Sequence, residues 1–373
     1  FAKKATSSSR AMNYNVEGYF GSAQYNYQEK YFASASYRLD GSSFFGKGHR
    51  WGSFWSVGGA WLISKEEFMK PYSWIDMLKL KASFGQQGND GVGYDDHSYL
   101  PNYFYWTDLY QLTPSGEYAM SPTFSNLGNK DITWETTTNF NVGAEFGFFN
   151  NRLSGNIDFY VKRVSDLLFW MSVPESAGAR GYYGNMGTIR NQGFELTLSG
   201  HVIRTRDFEW QLSGNISHNV TKIVDLPKAK TGENGGFYEG SMWFQEGKPL
   251  YNYMTLAYAG VNEHGEALYY YDPKLLVDGA MNTSKPGKTK SKDYVTTTPG
   301  NASRYTVGSI LPKVFGGFST YVRIKDFDLT ATFDYQIGGK VYDSQYAALM
   351  TVPSGAGDAG HAIHKDVLKS WSP

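Results

Sequence analysis

Apolar and polar residues alternate along much of this sequence. In the segment 78–85, one side holds Leu, Leu, Ala and Phe, while the other side holds two Lys, Ser and Gly. The same alternation recurs at 139–148, 194–202 and 208–216, and the apolar sides of these segments carry no charge and no hydroxyl group. A period of two is typical of a β-strand whose two faces meet different surroundings. The pattern therefore predicts strands with one apolar and one polar face.

We predict ten such strands and very little helix. One short amphipathic segment, Ser64–Met69, begins with the capping-box residues Ser64 and Glu67 and predicts a single helical turn. The predicted strands are 14–27, 31–39, 54–63, 78–87, 135–149, 153–169, 192–203, 208–219, 313–324 and 327–336.

The connections between these strands alternate between short and long. In an antiparallel up-and-down sheet, all odd-numbered connections lie at one end and all even-numbered connections at the other. The short connections are 28–30, 64–77, 150–152, 204–207 and 325–326, and the long ones are 40–53, 88–134, 170–191 and 220–312. One end with short turns and one end with long loops is typical of outer-membrane barrels, whose long loops are extracellular.

The sequence thus predicts an all-β fold, namely a transmembrane antiparallel up-and-down β-barrel with long extracellular loops. Most predicted strands reach the roughly 9–11 residues that cross a bilayer at a tilt. A soluble β-sandwich has shorter strands, and its short and long loops do not alternate regularly along the chain. Aromatic residues near the strand ends are expected to form the interfacial girdles of such a barrel: Trp55, Trp61, Trp134, Phe148, Phe149, Phe208 and Trp210.

Composition narrows the class further. The 373 residues include 35 Lys+Arg and 35 Asp+Glu, and this zero net charge argues against broad electrostatic binding of nucleic acid. The absence of Cys excludes disulfides and thiol chemistry. Aromatic residues make up 17% of the chain, and apolar runs are too short for a membrane helix. What remains is an aromatic-rich β protein.

We expect residues 1–373 to be one partial barrel domain of a longer protein. The chain begins at Phe1 with no signal segment, and it ends in loop-like sequence at Pro373. In lipid every backbone polar group needs a partner, so the sheet must close. A narrow ten-stranded barrel would carry an outsized loop at 220–312. A larger barrel, of which this chain supplies about ten strands, fits better.

Several ordered motifs carry a family resemblance. They are Tyr37–Gly46, Arg50–Gly52, Phe54–Gly58, Leu78–Gly85, Gln87–Asn89, Thr133–Thr137, Asn141–Gly143, Asn150–Gly155, Ser165–Leu168 and Asn185–Glu195. With these motifs in this order, the chain resembles the SusC/RagA family of TonB-dependent outer-membrane transporters from Bacteroidetes. The segment from Gly247 through Gly260 to Asp272 also resembles a recurring family stretch.

This resemblance implies a fold and a function. Such proteins are 22-stranded barrels with an N-terminal plug inside. A SusD-like surface lipoprotein closes over the mouth as a lid, and TonB supplies energy for the import of glycans or, in some members, peptides. The resemblance thus implies a protein in outer-membrane lipid that binds no nucleic acid and needs no cofactor. The plug, the TonB-contacting segment and the last strands are expected to lie outside this chain.

Motifs of catalysis and metal binding are not found in the sequence, so we expect no enzyme and no metal site. The stretch Gly287–Thr289 mimics the end of a phosphate loop, but the required first glycine would fall at Asn282. His361 and His364 have no third ligand in view. The Asp95–His97 stretch could hold calcium through its oxygens, but an ordinary polar turn is the simpler interpretation.

Aromatic clusters in two long loops are the functional candidates. Flat aromatic faces suit the apolar faces of sugar rings, and Tyr and Trp add hydrogen-bonding groups. The alternative is that these residues pack the loops on themselves or against the lid protein. The candidates for substrate or lid contact are Tyr99, Tyr103, Tyr105, Trp106, Tyr238, Trp243 and Phe244.

Two other functions remain open from the sequence. The first is a secreted or surface β-sheet protein that binds carbohydrate and transports nothing. The second is an outer-membrane barrel enzyme, against which the missing nucleophile and base motifs argue. Charged residues on the polar strand faces are expected to form a solvated inner wall: Arg38, Asp40, Lys79, Lys81, Glu145, Asp158 and Lys162.

Overall fold

A computed structural model gives the structure of this chain. It describes residues 14–91, 104–114, 120–179, 181–231, 235–351, 360 and 362–371. The predicted positions Tyr99, Tyr103, Asp95–His97 and His361 lie outside these residues.

Two compact units make up the chain. The first comprises Phe1–Pro227 with Phe315–Tyr335, and the second comprises Lys228–Val314 with Gln336–Pro373.

A ten-stranded antiparallel sheet dominates the first unit. Each strand pairs with its neighbours in the sequence, in the order β1 to β10. The strands are β1 (Val16–Tyr27), β2 (Tyr31–Ser42), β3 (Trp51–Leu62), β4 (Ile75–Asn89), β5 (Glu135–Phe148), β6 (Leu153–Ser165), β7 (Thr188–Arg204), β8 (Phe208–Asp225), β9 (Val314–Ile324) and β10 (Phe327–Ile337). All ten predicted strands are confirmed, and their consecutive order is that of an up-and-down sheet.

The register of the sheet joins the apolar faces of successive strands. Leu196 of β7 lies opposite Ile157 of β6 and Ile216 of β8. Ile157 in turn lies opposite Ala144 of β5, and Ala144 opposite Leu80 of β4. These side chains are not covered by protein, since Leu80 is 43% exposed and Ile157 is 45% exposed. An exposed apolar face that continues across five strands suits a surface covered by lipid.

The two ends of the sheet differ, as the alternation of connections predicts. The connections at the short-turn end are 28–30, 63–74, 149–152, 205–207 and 325–326. Those at the long-loop end are 43–50, 90–134, 166–187 and 226–313. At the tight turn between β5 and β6, Phe149, Asn150 and Asn151 all have left-handed φ angles of 56–60°. Asn adopts this region at low cost, which explains the Asn pair there.

The predicted helical turn at Ser64–Met69 takes a different form. Two short 3-10 helices, Ile63–Lys65 and Glu67–Met69, occupy this segment, and neither has a side-chain hydrogen bond at its N-cap. Ser64 lies inside the first of them, so the predicted capping box with Glu67 is wrong.

The Glu67 carboxylate pairs with Lys70 instead of reaching back to Ser64, and the neighbouring carboxylate, Glu66, is bound to the wall strands. It accepts hydrogen bonds from the Tyr31 hydroxyl at 2.6 Å and from the Trp61 indole at 3.1 Å, and it forms an ion pair with Lys30 at 3.1 Å. These donors hold the pKa of the Glu66 carboxyl below its ordinary value. Glu66 therefore ties two short turns together.

Loops of the first unit contain two small hairpins. Leu109–Pro114 pairs with Met120–Asn126, and Leu168–Ser172 pairs with Gly181–Asn185. A 3-10 helix, Glu175–Ala177, lies between the strands of the second hairpin.

The second unit consists of short strands and helical turns around its own buried residues. Trp243, Met254 and Tyr305 are at most 3% exposed. Its strands are Gly236–Glu239, Met242–Gln245, Asn252–Leu256, Tyr258–Val261, Ala267–Tyr270, Leu276–Val277, Ala280–Met281, Val295–Thr296 and Arg304–Ser309. Its helical segments are Lys228–Thr231, Pro273–Leu275, Pro299–Asn301, Ser344–Leu349 and Lys365–Lys369. Among the described residues, no helix is both long and apolar enough to cross a membrane.

Candidate functional site

A buried aromatic cluster lies in the loops at the long-loop end of the first unit. Phe45 and Ile132 are completely buried, and Phe54 and Trp134 are 7% and 8% exposed. The Phe54 and Trp134 rings meet edge to face with their centroids 5.5 Å apart. This loop cluster, which also contains Phe44 and Tyr105, fixes loops that join three different strand pairs.

Hydrogen bonds to backbone groups lock the same loops together. The Thr133 N–H donates to Asn185 Oδ1 at 2.8 Å, and Asn185 Nδ2 donates to the Thr133 carbonyl at 2.7 Å. The Trp134 indole N–H donates to the Arg50 carbonyl at 2.8 Å. Asn129 Nδ2 donates to the Tyr183 carbonyl at 2.9 Å. These side chains thus join the loops through backbone groups of Arg50, Thr133 and Tyr183.

Two of the predicted contact residues belong to this loop cluster. Tyr105 is 2% exposed, and its ring meets the Tyr183 ring edge to face at 4.5 Å. Trp106 is partly buried and packs against the cluster. In this structure Tyr105 therefore packs the loops, and Trp106 retains a partly open surface.

The other three described candidates lie in the second unit. Trp243 is 1% exposed, and its indole N–H donates to Gln245 Oε1 at 3.1 Å. Tyr238 is partly exposed, and the Arg304 guanidinium lies 4.9 Å from its ring centroid. Phe244 is also partly exposed and stacks on Phe237 at 5.1 Å. The structure thus brings Tyr238 and Phe244 partly to the surface, while Trp243 is a core residue.

A buried carboxylate in the second unit binds the stretch Gly287–Thr289. Asp272 is 2% exposed, and its Oδ2 accepts hydrogen bonds from the backbone N–H groups of Lys288 at 2.8 Å and Thr289 at 3.0 Å. Its Oδ1 accepts from the Lys274 N–H at 3.1 Å. The stretch that mimics a phosphate loop therefore wraps around an anion of its own chain.

Burial and hydrogen bonding act on Asp272 in opposite directions. Burial alone would raise the pKa of the Asp272 carboxyl. The backbone donors Lys288, Thr289 and Lys274 outweigh this effect and hold the pKa below its ordinary value. Asp272 is therefore a charged structural residue.

Charged side chains on the polar sheet face pair with one another. Lys81 Nζ lies 3.2 Å from Glu145 Oε1 and 3.0 Å from Asp158 Oδ1. Lys79 Nζ lies 3.4 Å from Glu145 Oε2. The two lysines and two carboxylates across β4, β5 and β6 therefore neutralise one another.

A metal-binding cluster is not found among the described residues. They contain no group of three or more His, Cys, Asp or Glu residues arranged to hold a metal ion. His364 instead caps the 3-10 helix Lys365–Lys369, since its Nδ1 accepts from the Asp366 N–H at 3.2 Å. The alternation of apolar and polar residues could not reveal that Asn185 joins two loops or that Asp272 binds backbone N–H groups. The Asp-Pro pair 272–273 is a known N-cap signal and could have indicated Asp272.

A family profile and individual protein sequences both match this chain to TonB-dependent receptors. The sequence profile of the family described as "TonB dependent receptor-like, beta-barrel" matches residues 2–342. TonB-dependent receptor P39 of Formosa agariphila is 32% identical over 265 residues, which cover 70% of this chain and 24% of that protein. TonB-dependent receptor SusC of Bacteroides thetaiotaomicron is 34% identical over 226 residues, covering 60% of this chain and 22% of that protein.

Solved structures show the same likeness. The RagAB peptide transporter structure superposes with a TM-score of 0.71 at 28% identity and covers 89% of this chain and 34% of that chain. The RagAB peptide importer in the "closed-closed" state gives a TM-score of 0.72 at 29% identity, covering 87% of this chain and 34% of that chain. The chain therefore spans only about a quarter to a third of the length of the curated relatives and solved chains that it matches.

Proposed function

This chain belongs to the TonB-dependent receptor-like β-barrel family, and on that premise we propose that it is the ten-stranded wall segment of an outer-membrane nutrient importer. The family consists of outer-membrane receptors and transporters rather than enzymes. The observation that carries the proposal is the two-faced sheet. Its apolar side chains, such as Leu80 and Ile157, are exposed on one face, and charged side chains such as Lys81 and Asp158 pair on the other.

Closure of the wall is part of the proposal. Strands β1 and β10 form the two edges of the described sheet. In a bilayer the unpaired N–H and C=O groups of an edge strand cost several kcal/mol each, so the sheet needs further strands to close. The family resemblance, which implies a barrel of 22 strands, would have about a dozen of them come from outside this chain. We propose that residues 1–373 are one partial barrel domain of such a protein.

The proposed import depends on two partners. A SusD-like surface lipoprotein would close over the long-loop end, and TonB would supply energy through a plug segment. The resemblance of the motifs Tyr37–Gly46 and Asn185–Glu195 to the SusC/RagA family supports the proposal of these two partners. The likeness to RagAB, which is described in "closed-closed" and "open-open" states, supports a mouth that opens and closes.

A glycan is the first substrate that we propose, and a peptide is the second. Aromatic loops with hydroxyl groups support a glycan. The likeness to the RagAB peptide transporter supports a peptide. Among the described candidates, Trp106, Tyr238 and Phe244 are partly exposed, so each could contact a substrate or the lid protein.

Gene deletion tests this function. A strain that lacks the gene is compared with its parent for growth on, and uptake of, fluorescently tagged oligosaccharides and peptides as sole nutrients. Loss of uptake of one class, restored by a plasmid copy of the gene, is the expected result. Normal uptake of both classes, or native protein that is soluble without detergent, would contradict the importer. Soluble protein that still binds glycan would support the non-transporting alternative.

A further inference from the structure

A groove of about 450 Å³ crosses the apolar face of strands β7 to β10. Gly214 of β8 forms its floor, because no side chain fills the space between Leu212 and Ile216 on that face. Leu198 of β7 lies opposite Gly214, and Phe318 of β9 lies on the other side of it. We call this space the lipid-face groove.

Aromatic contacts fix the walls of the lipid-face groove. Phe318 stacks on Phe333 with the ring centroids 4.8 Å apart. The Tyr335 hydroxyl donates to the Asn215 carbonyl at 3.0 Å, so the Tyr335 side chain reaches from β10 across β9 to β8. Among the described residues that line the groove, none is charged. The groove therefore suits a flexible apolar chain.

The depth of the groove places it in one leaflet of the bilayer. The short turns of outer-membrane barrels are periplasmic, and Gly214 follows Asp207, the last residue of such a turn, by seven positions. At a rise of about 3.3 Å per residue and a tilt of about 45°, Gly214 lies about 16 Å from the turn along the membrane normal. One leaflet with its headgroups is about 20 Å deep, so a lipid with its headgroup at the turn brings its acyl chain to Gly214.

Two short turns next to the groove carry charges of both signs. Arg206 and Asp207 lie in the turn between β7 and β8, and Lys325 and Asp326 form the turn between β9 and β10. The Lys325 N–H donates to the Asp207 carbonyl at 2.7 Å, which holds the two turns side by side. All four residues are exposed, and within the described part of the chain none of them forms an ion pair.

Neighbouring charges leave this balance nearly even. Arg323 and Glu209, at adjacent strand ends, already pair with each other at 3.3 Å. Arg204 and Asp328 add one further charge of each sign, and Arg152 is a further cation in the turn of the next hairpin. A headgroup at the two turns therefore meets separate positive and negative charges rather than a purely cationic patch.

From this arrangement we infer that the lipid-face groove and the two turns bind one zwitterionic phospholipid, with an acyl chain along Gly214. The lipid phosphate pairs with Arg206 and Lys325. The headgroup ammonium donates to the carboxylates of Asp207 and Asp326. Phosphatidylethanolamine has this chemistry, whereas the quaternary ammonium of phosphatidylcholine has no N–H to donate. The inference goes beyond import, because it needs only the membrane-spanning wall.

Native mass spectrometry of the full-length protein tests this lipid site. The protein is reconstituted in nanodiscs of equal parts phosphatidylethanolamine, phosphatidylglycerol and phosphatidylcholine and then released into mild detergent, and the retained lipids are identified by mass. One phosphatidylethanolamine should remain on each protein chain, preferred about five-fold or more over the other two lipids.

Gly214→Leu fills the groove and should lower this retention by about five-fold or more, because the acyl chain loses its apolar contacts. A Cβ atom at position 214 would lie no closer than 3.3 Å to atoms of other strands, so the side chain can be accommodated. Gly59→Leu is the matched control on the apolar face of β3, opposite Ala82, where the nearest atom is 3.7 Å from the new Cβ. It should leave retention unchanged.

The double variant Asp207→Asn/Asp326→Asn tests the headgroup without changing the packing. It should still retain a phospholipid but lose the preference for phosphatidylethanolamine over phosphatidylglycerol. Glu29→Gln is the control, because this carboxylate lies in a short turn where it already pairs with Lys65. It should keep the preference.

Five results would overturn the inference: no lipid is retained, wild type prefers phosphatidylglycerol, Gly214→Leu retains as much phosphatidylethanolamine as wild type, the Asp double variant keeps the preference, or the mass shows two protein chains that Gly214→Leu separates. The last result would assign the groove to a second copy of the protein. Heat-modifiable migration in gels verifies the fold of every variant, and the Asp double variant decides alone if Gly214→Leu does not fold. If the lipid is retained but gene deletion leaves uptake normal, the importer is refuted and the lipid site stands.

Discussion

Asn185 and Thr133 exchange two hydrogen bonds across 52 residues of chain, at 2.8 and 2.7 Å. Asn185 Nδ2 also donates to the Asp166 carbonyl at 3.1 Å. One carboxamide thus satisfies backbone groups of two separate loop segments. It fixes the loop after β6 against the loop before β5.

Replacement of Asn185 by Ala should loosen these loops. The change leaves backbone groups of Thr133 without partners, and we expect a loss of about 1–3 kcal/mol of local stability. Hydrogen exchange of the loop amides in the full-length protein measures this loss. Asn26→Ala, at an exposed position of β1, is the matched control. Equal protection in the two variants would show that the Asn185 bonds do not hold the loops.

Arginine scanning of adjacent residues tests the lipid-facing side of the sheet. Leu212 is 41% exposed on the apolar face, whereas its neighbour Ser213 lies opposite Ser199 on the polar face. Leu212→Arg should cost about 2–4 kcal/mol near the bilayer midplane, and Ser213→Arg much less. The same contrast is expected between Leu196→Arg and Thr197→Arg.

Urea unfolding of the full-length protein, after refolding into lipid vesicles, gives these free energies. Similar costs on the two faces would refute the assignment of the apolar face to lipid.

Gly88 allows the Phe54 ring to enter between β3 and β4. A Cβ atom on Gly88 would overlap the ring atoms of Phe54, and a Cβ on Gly52 would lie 2.5 Å from the Cζ atom of the same ring. Gly88→Ala should therefore destabilise the protein by about 1–3 kcal/mol through overpacking. Thermal unfolding measures the effect, and Gly21→Ala, where nothing lies within 4 Å, is the control.

The double variant Gly88→Ala/Phe54→Leu identifies the cause. Since the smaller side chain relieves the overlap, the two losses should not add. Strict additivity would place the strain elsewhere.

Asp272 predicts a pH dependence in the second unit. Its folded-state pKa lies below the unfolded value of about 3.9, so the carboxylate stabilises the fold above that pH. This stabilisation is lost as the pH falls through the folded-state pKa. At pH 7, Asp272→Asn should cost about 1.5–3 kcal/mol, because an amide cannot accept all three backbone donors.

Limited proteolysis at pH 7 and at pH 3, with a protease suited to each, compares the variant with wild type. The difference should be large at pH 7 and should shrink in acid. Asp278→Asn, at an exposed turn, should behave as wild type at both values. A difference that is independent of pH would rule out the charge of Asp272 as the cause.

Alternation in the sequence predicted the wall but not the loops. The pairing of Leu196 with Ile157 follows from the two-residue period, because a shift of one position would turn every apolar side chain to the wrong face. Asn185, Asp272 and Phe54 act through contacts between distant segments, and no period marks such contacts. The predicted capping box at Ser64 was wrong for a local reason, because Glu67 pairs with Lys70 three residues later.

The consecutive order of the strands also bears on how the wall assembles. Eight of its nine strand pairings join segments separated by fewer than about 50 residues, so hairpins can form from nearby chain and add in sequence. The pairing of β8 with β9 differs, because it closes over residues 226–313. The entropic cost of closing a loop rises by only about 0.6 kcal/mol for each doubling of its length. Contacts between segments that are far apart in the chain nevertheless form slowly. We therefore expect docking of β9 onto β8 to be a late step in folding.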